Sequence, residues 1–381
     1  MWPRFVVQAT YTHMNPIIRP FILALAFAAC SNDAGPANHP IDFAGLDLYG
    51  VDLYGINGST DMAVSSTGCG TCPSGYTCGS VNSIPVCRSA AGIPLFSSVF
   101  MIVMENTSKS TLDAATNTPF MAGLKGSAAT ASNYHGVAHP SLPNYIALIS
   151  GGTQSIGCDC DPTGSACSGL SCNALVHSCG CPQTAMHLGQ QLDGVSKTWR
   201  AYVEDLGSDC NVTSSGNYAV RHVPFLYFDD VRTNAARCAD RVAPYSALAT
   251  DLAGTTRAFN FIAPNLVDDM HDPFPAGDTN LANGDAWLSA VIPAITASAS
   301  YKKGGIIFIV WDEDDLSGVL AKDDPIPLFV ISPLAKQGNN TVVATHLDHA
   351  SLLATVEDGL GVGRLGSAVG AAPLSEFFPA H

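Results

Sequence analysis

The chain has 381 residues, 47% hydrophobic and only 13% charged, which is enough apolar material for a sizeable core and too much for a disordered chain. Acidic side chains outnumber basic ones 32 to 17, a net charge of −15 that repels phosphate-rich polymers and disfavours nucleic-acid binding unless a cation intervenes. Thirteen cysteines point to an oxidising compartment.

Residues 16–29 give a short basic region followed by an apolar run ending at Ala28-Ala29-Cys30. The run is too short for a spanning helix, which needs roughly 20 residues, and fits the hydrophobic part of a signal peptide over residues 1–29. Phe27-Ala28-Ala29-Cys30 resembles a bacterial lipobox, so Cys30 is expected to become a lipidated N-terminus. Ordinary cleavage near Ala29 is the alternative. Either way the expected location is the bacterial cell envelope or the outside, with membrane contact only through a lipid anchor. Without Cys30, twelve cysteines remain: Cys69, Cys72, Cys78 and Cys87, six between 158 and 181, and the pair Cys210 and Cys238. An even number in local groups reads as disulfides, with connectivity left open. A zinc knuckle at Cys69-x-x-Cys72 lacks a completing His or second pair.

Next comes a Gly- and Asp-spaced near-repeat from Gly45 to Gly55, which has no helical period and reads as part of a solvated tether over 30–68. Residues 69–92 read as a small stapled module and 93–381 as the main domain, with a cysteine-rich insert at 154–185. Within that domain, apolar runs at 98–104, 259–263, 306–311 and 326–331 predict strands buried on both faces, as in a parallel sheet covered by helices. Helices are predicted over 143–149, 286–298 and 350–359. The fold class is α/β, a three-layer sandwich around a mostly parallel sheet.

Polar groups collect just after three of these strands. Met104 runs into Glu105-Asn106, Trp311 into Asp312-Glu313-Asp314-Asp315, and Ala263 leads to Asp268-Asp269-Met270-His271-Asp272. Open α/β sheets place their sites at the carboxyl ends of strands. Carboxylates gathered there repel one another, and a divalent cation held by oxygen ligands relieves that repulsion. Glu105, Asp312 and Glu313 are the expected ligands; Asp314 and Asp315 read as solvated loop acids, and His177 and His187 as surface residues.

In His139-Pro140-Ser141-Leu142-Pro143-Asn144-Tyr145 two prolines fix a corner that puts Ser141 at or just before a helix N-terminus, where an anion is favoured. Spacing alone does not separate a nucleophile from an N-cap. There is no Gly-x-Ser-x-Gly elbow, no His-Glu-x-x-His and no phosphate-binding Gly-x-x-x-x-Gly-Lys loop.

These segments, taken in order with Pro264-Asn265-Leu266 and His349-Ala350-Ser351-Leu352-Leu353, resemble the bacterial phosphoesterase family of phospholipases C and acid phosphatases. That family lies within the alkaline-phosphatase-like superfamily. The resemblance implies a metal-dependent hydrolase of phosphoric esters, with Ser141 as covalent nucleophile and Glu105, Asn106, Asp312 and Glu313 as the metal set. Asp269, His271 and His349 would hold a second metal or contact phosphate, and His139 and Asn144 are further phosphate-contact candidates. Metal identity and number stay open. Where the phospholipase C branch has an Asp-His-Val and proline-rich stretch, this chain has Leu316-Ser317-Gly318-Val319, and the sulfatase signature Cys-x-Pro-x-Arg is missing. Both departures favour an acid-phosphatase-like monoesterase over a dedicated phospholipase, with small phosphate esters as the expected substrates; a monomer is expected separately, the sequence leaving oligomeric state open. The alternatives are a phospholipase C or other phosphodiesterase, and a non-catalytic surface lipoprotein with a degenerate hydrolase fold.

Overall fold

The computed structural model describes residues 68–164, 167–168, 181–272, 280–315, 324–336 and 341–380. The signal and lipidation readings, Cys30, the tether up to residue 67, His177 and Leu316–Val319 lie outside the described residues.

The strands in chain order are β1 (Tyr76–Val81), β2 (Ile84–Ser89), β3 (Val99–Met104), β4 (Ala129–Ala131), β5 (Tyr134–His135), β6 (Asp159–Cys160) and β7 (Cys167–Ser168). They continue as β8 (Trp199–Val203), β9 (Val242–Pro244), β10 (Phe259–Ala263), β11 (Ile306–Trp311), β12 (Leu328–Ile331), β13 (Val342–Val343) and β14 (Leu347–Asp348). Eight of them form one sheet in the order β13-β4-β12-β11-β3-β10-β8-β9. The block β11-β3-β10-β8-β9 is parallel throughout, with Phe100 of β3 opposite both Ile307 and Asn260. β12 alone is reversed, antiparallel to β11 and β4. Its apolar run was expected to be parallel; an unbroken apolar run reports burial on both faces, not direction.

Every residue of β3, β10 and β11 is buried. Helices cover the two faces. On one, Tyr145 of the helix Ser141–Ser150 meets Phe261 edge-on at 6.4 Å, and Phe96 meets Phe308 likewise. On the other, the helix Asn280–Ala297 comes so close that a Cβ on Gly284 would stand 2.4 Å from Met270 and 3.0 Å from Met104. The three predicted helices are all present but begin earlier, at Ser141, Asn280 and His349.

The module at 69–92 is a β1–β2 hairpin stapled by Cys69–Cys78 and Cys72–Cys87. It is bound to the main domain: Asn82 donates to the carbonyls of Pro333 and Ala335, Arg88 to that of Pro379, and Tyr76 to that of Asp358. Val81 and Ile93 lie in the common core. Cys210 and Cys238 are joined as well. In the insert, Cys160–Cys181 is bridged and β6 and β7 form a separate ribbon outside the main sheet.

His187 corrects a surface assignment. It is fully buried, its Nδ1 accepting the N–H of Gly189 and its Nε2 facing Asp230 at 3.1 Å, packed among Trp199, Phe225 and Phe228. It caps the helix Leu188–Gly194.

Glu357 is buried in the helix His349–Leu360, with Oε1 accepting the N–H of Leu365. Burial pushes its carboxyl up to about 8, against the opposing N–H of Leu365 and charge of Arg364. The folded state therefore holds a proton that the unfolded state releases between pH 4.5 and about 8, and stability falls as pH rises through that window. Glu357→Gln is expected to be the more stable protein at pH 8.5 by about 3 kcal/mol and equal to wild type below pH 4.5. Thermal unfolding at both pH values checks this; a difference that does not vary with pH would overturn it.

Candidate active site

The site forms where β3, β10 and β11 end. After β3 the chain delivers Glu105, after β11 Asp312 and Glu313, and after β10 Asp269, all of them buried. Ser141 stands among them as the first residue of its helix. Its hydroxyl does not cap that helix; it lies 3.0 Å from Glu105 Oε2 and 3.3 Å from Glu313 Oε1, donating toward carboxylate oxygens. This removes the N-cap reading.

The helix end has few amides to spare. Of the four N–H groups such a terminus leaves open, two are absent because Pro140 and Pro143 supply none, and that of Leu142 donates to Asp159 Oδ1 at 3.0 Å. Only the Ser141 amide is left. The loop before it is shaped by Asn144, whose Oδ1 accepts from Val137 and Ala138 and whose Nδ2 donates to the carbonyls of Ala138 and Pro140. Asn144 is therefore committed to the backbone it braces.

His222, from the short turn Val220–His222, bridges two carboxylates: Nε2 to Glu105 Oε1 at 2.9 Å and Nδ1 to Asp269 Oδ2 at 3.1 Å. Tyr145 stacks flat on its ring at 5.0 Å. Burial opposes charge on all three. The attraction of Glu105 and Asp269 outweighs it at His222, which is raised to about 9. Glu105 falls to about 2 for the reciprocal reason, while burial wins at Asp269, which rises to about 6 despite His222. Among the described residues no such counterion serves Asp312. Burial, with the charges of Glu105 and Glu313 added, pushes its carboxyl well above the usual range. Glu313 is raised by burial against the opposing contact of His139, whose Nδ1 lies 2.6 Å from its Oε2.

In donor chemistry those residues suit a divalent cation, although among the described residues their oxygens do not all converge within 4.8 Å of one another. Asp312 Oδ1 accepts the backbone N–H of Asn106 at 3.1 Å, whereas its buried Oδ2 has no hydrogen bond of ordinary geometry. An orphaned carboxylate oxygen amid buried carboxylates is the donor set a hard cation takes. Asn106 contributes its amide to this arrangement; its side chain makes no hydrogen bond among the described residues.

A phosphoesterase-family profile matches residues 103–363, most of the chain and every residue of this cluster. The chain belongs to the phosphoesterase family. It is 28% identical to a phosphatidylinositol-3-phosphatase of Mycobacterium tuberculosis over 78% of this chain and 88% of that one. A probable acid phosphatase of Kluyveromyces lactis is 24% identical over 74% of this chain and 62% of its own length, and an acid phosphatase of Aspergillus fumigatus 25% over 71% and 56%. The chain thus spans somewhat more than half of these two fungal relatives. Among solved structures, a protein in the alkaline phosphatase superfamily from Vibrio parahaemolyticus superposes with a TM-score of 0.51 over 74% of this chain and 71% of that one, at 11% identity. That likeness shows the alkaline-phosphatase-like fold.

As a phosphoesterase, the protein is a hydrolase of phosphoric esters, and the remaining sequence candidates can be placed in its site. His271 lies at the rim, its backbone N–H donating to Asp269 Oδ1 at 2.8 Å and its Nδ1 2.7 Å from Asp272. His349 is buried with both ring nitrogens engaged, Nε2 at 2.7 Å from the carbonyl of Asp312 and Nδ1 at 2.9 Å from the hydroxyl of Tyr134. Burial holds it near 4, a neutral ring that braces the backbone behind Asp312. Asp314 is not a solvated loop acid, and Asp315 is half-buried. Asp314 is buried, accepting the N–H of Asp324 and facing His139 at 3.4 Å, and Asp315 accepts the hydroxyl of Thr111. His222, Asp159 and Arg221 were invisible in the sequence reading; an Arg-His pair before Val-Pro carries no spacing rule that marks it.

A cavity of about 140 Å³ between Lys109, Leu112, Phe329 and Val342 shares no residue with the cluster. Gly136, by contrast, borders it: a Cβ there would stand 2.9 Å from the carbonyl of Asp312 and 3.4 Å from the Cα of Glu313. Gly136→Ala is expected to displace the Asp312–Glu313 backbone and lower kcat/KM about 10-fold or more, on the general sensitivity of positioned groups to ångström shifts. Steady-state kinetics with the melting temperature measured alongside test this; unchanged kinetics in a folded variant would refute it.

Proposed function

We propose that this phosphoesterase is a metal-dependent phosphomonoesterase acting through a phosphoserine at Ser141. The observation that carries the reading is the Ser141 hydroxyl, held between Glu105 and Glu313 instead of capping its helix. The names of the curated relatives, all phosphatases, agree with it.

Ser141 Oγ attacks phosphorus, the bond to the ester oxygen breaks, and the alcohol departs with a proton. Water then displaces the serine, releasing inorganic phosphate. Glu105, tied to His222 and held near 2, is a poor proton acceptor. His139, whose Nδ1 lies 2.6 Å from Glu313 Oε2, is the imidazole placed beside the site to take up the serine's proton and pass it on. A cation held by Glu105, Asp312 and Glu313 would supply charge stabilisation for the serine alkoxide and the phosphoryl oxygens. Asn144 and His349 keep the loop and the Asp312 backbone in place.

Rates on p-nitrophenyl phosphate, bis-p-nitrophenyl phosphate and p-nitrophenyl phosphorylcholine, with and without chelator, test the reading. The simple monoester is expected to be fastest. A faster phosphorylcholine ester would establish a phospholipase-type enzyme instead. Anchoring at Cys30 in the cell envelope belongs to the same proposal, and mass spectrometry of the mature N-terminus decides it.

A further inference from the structure

We propose that Arg221 is the clamp that selects a doubly charged phosphate monoester, a specificity role that rests on the phosphatase reading. Arg221 precedes His222, the bridge between Glu105 and Asp269, in the turn Val220–His222. Its Nε lies 3.7 Å from Asp159 Oδ2, and its Nη2 3.4 Å from His271 Nε2. Both contacts are long, and the guanidinium makes no other hydrogen bond or ion pair among the described residues. A planar fork with five N–H donors is thus largely uncommitted, only a quarter exposed. Satisfied arginines elsewhere in the chain differ. Arg364 makes two short bonds to Asp358, at 2.9 and 2.7 Å, and Arg241 pairs with both Asp193 and Asp240.

The surroundings explain why such a group is needed. Glu105, Asp159, Asp269, Asp312 and Glu313 line the approach to Ser141, and the helix end offers a single free amide. His222 is consumed by two carboxylates. Beside any cation held by Glu105, Asp312 and Glu313, an incoming phosphate therefore meets Arg221 as the side-chain cation with only long-range partners. Asp159 links serine helix and guanidinium, holding the amide of Leu142, the residue after Ser141, through one oxygen and facing Arg221 with the other. A monoester carries close to two charges at neutral pH and a diester one, so a fixed guanidinium in a partly desolvated site favours the monoester.

The test uses Arg221→Met and Arg221→Lys, with melting temperatures to establish folding. Binding of inorganic phosphate is followed by calorimetry, and kcat/KM is measured on p-nitrophenyl phosphate and bis-p-nitrophenyl phosphate. Arg221→Met is expected to weaken phosphate binding and to lower monoester kcat/KM about 100-fold, with diester kcat/KM changed less than about 10-fold. Arg221→Lys, which keeps the charge without the fork, should fall between. Unchanged phosphate affinity, or equal losses on both esters, would overturn the proposal. The binding arm needs no turnover, so a wild type that hydrolyses neither ester would sink the phosphatase reading while phosphate affinity still judges Arg221.

Discussion

Ser141→Ala is expected to lower turnover of p-nitrophenyl phosphate by at least about 10⁴-fold and to abolish covalent phosphate trapping at this position. The hydroxyl is buried, so little of the substrate-binding surface changes with it. KM and inorganic phosphate affinity should move far less than kcat. The fold should survive, because the serine oxygen caps nothing and its removal relieves no backbone group of a partner. Acid-quenched mass spectrometry of a peptide containing Ser141 reads the phosphoserine directly in wild type. A variant retaining full activity, or phosphate trapped on another residue, would refute the nucleophile assignment.

The second large effect is expected at Asp312. Asp312→Asn keeps an oxygen for the Asn106 amide but removes the charge from the carboxylate whose outer oxygen is orphaned. Cation affinity and turnover should fall together, activity by about 10³-fold at limiting metal, and excess metal should restore only part of it. Exhaustive chelation of wild type should abolish activity, and readdition of a divalent ion should return it. The cation should also stabilise the fold, by about 2.7 kcal/mol at a hundredfold excess over its Kd. That gain should shrink in Asp312→Asn, which a thermal shift with and without metal measures. Wild-type activity indifferent to chelation would remove the metal from the mechanism.

The sheet was legible because its central strands are unbroken apolar runs. Val99–Met104, Phe259–Ala263 and Ile306–Trp311 bury every residue, and a sequence states two-sided burial directly. The same property made the next residues readable as a site, since Glu105, Asp312 and Glu313 each follow a strand that cannot itself be exposed. Direction was not legible at Leu328–Ile331, for apolar content is the same whichever way a strand runs. Burial of polar groups was harder still: His187 and Asp314 read as surface residues and are enclosed, each by partners that local composition does not name.

By itself the sequence determined the chain's apolar strands, its cysteine staples, the acidic positions at strand ends and the serine corner, because each is a property of neighbouring residues. Only the tertiary structure decided which charges face one another. His222 lies between Glu105 and Asp269 through a turn far from both in the chain, and Arg221 beside it makes only two long contacts, to Asp159 and His271. Coulomb energy depends on separation in space, and sequence spacing fixes that separation within one helix or strand but not across a sheet. The balance of one bridging histidine and one uncommitted arginine against a ring of carboxylates is therefore a product of the fold.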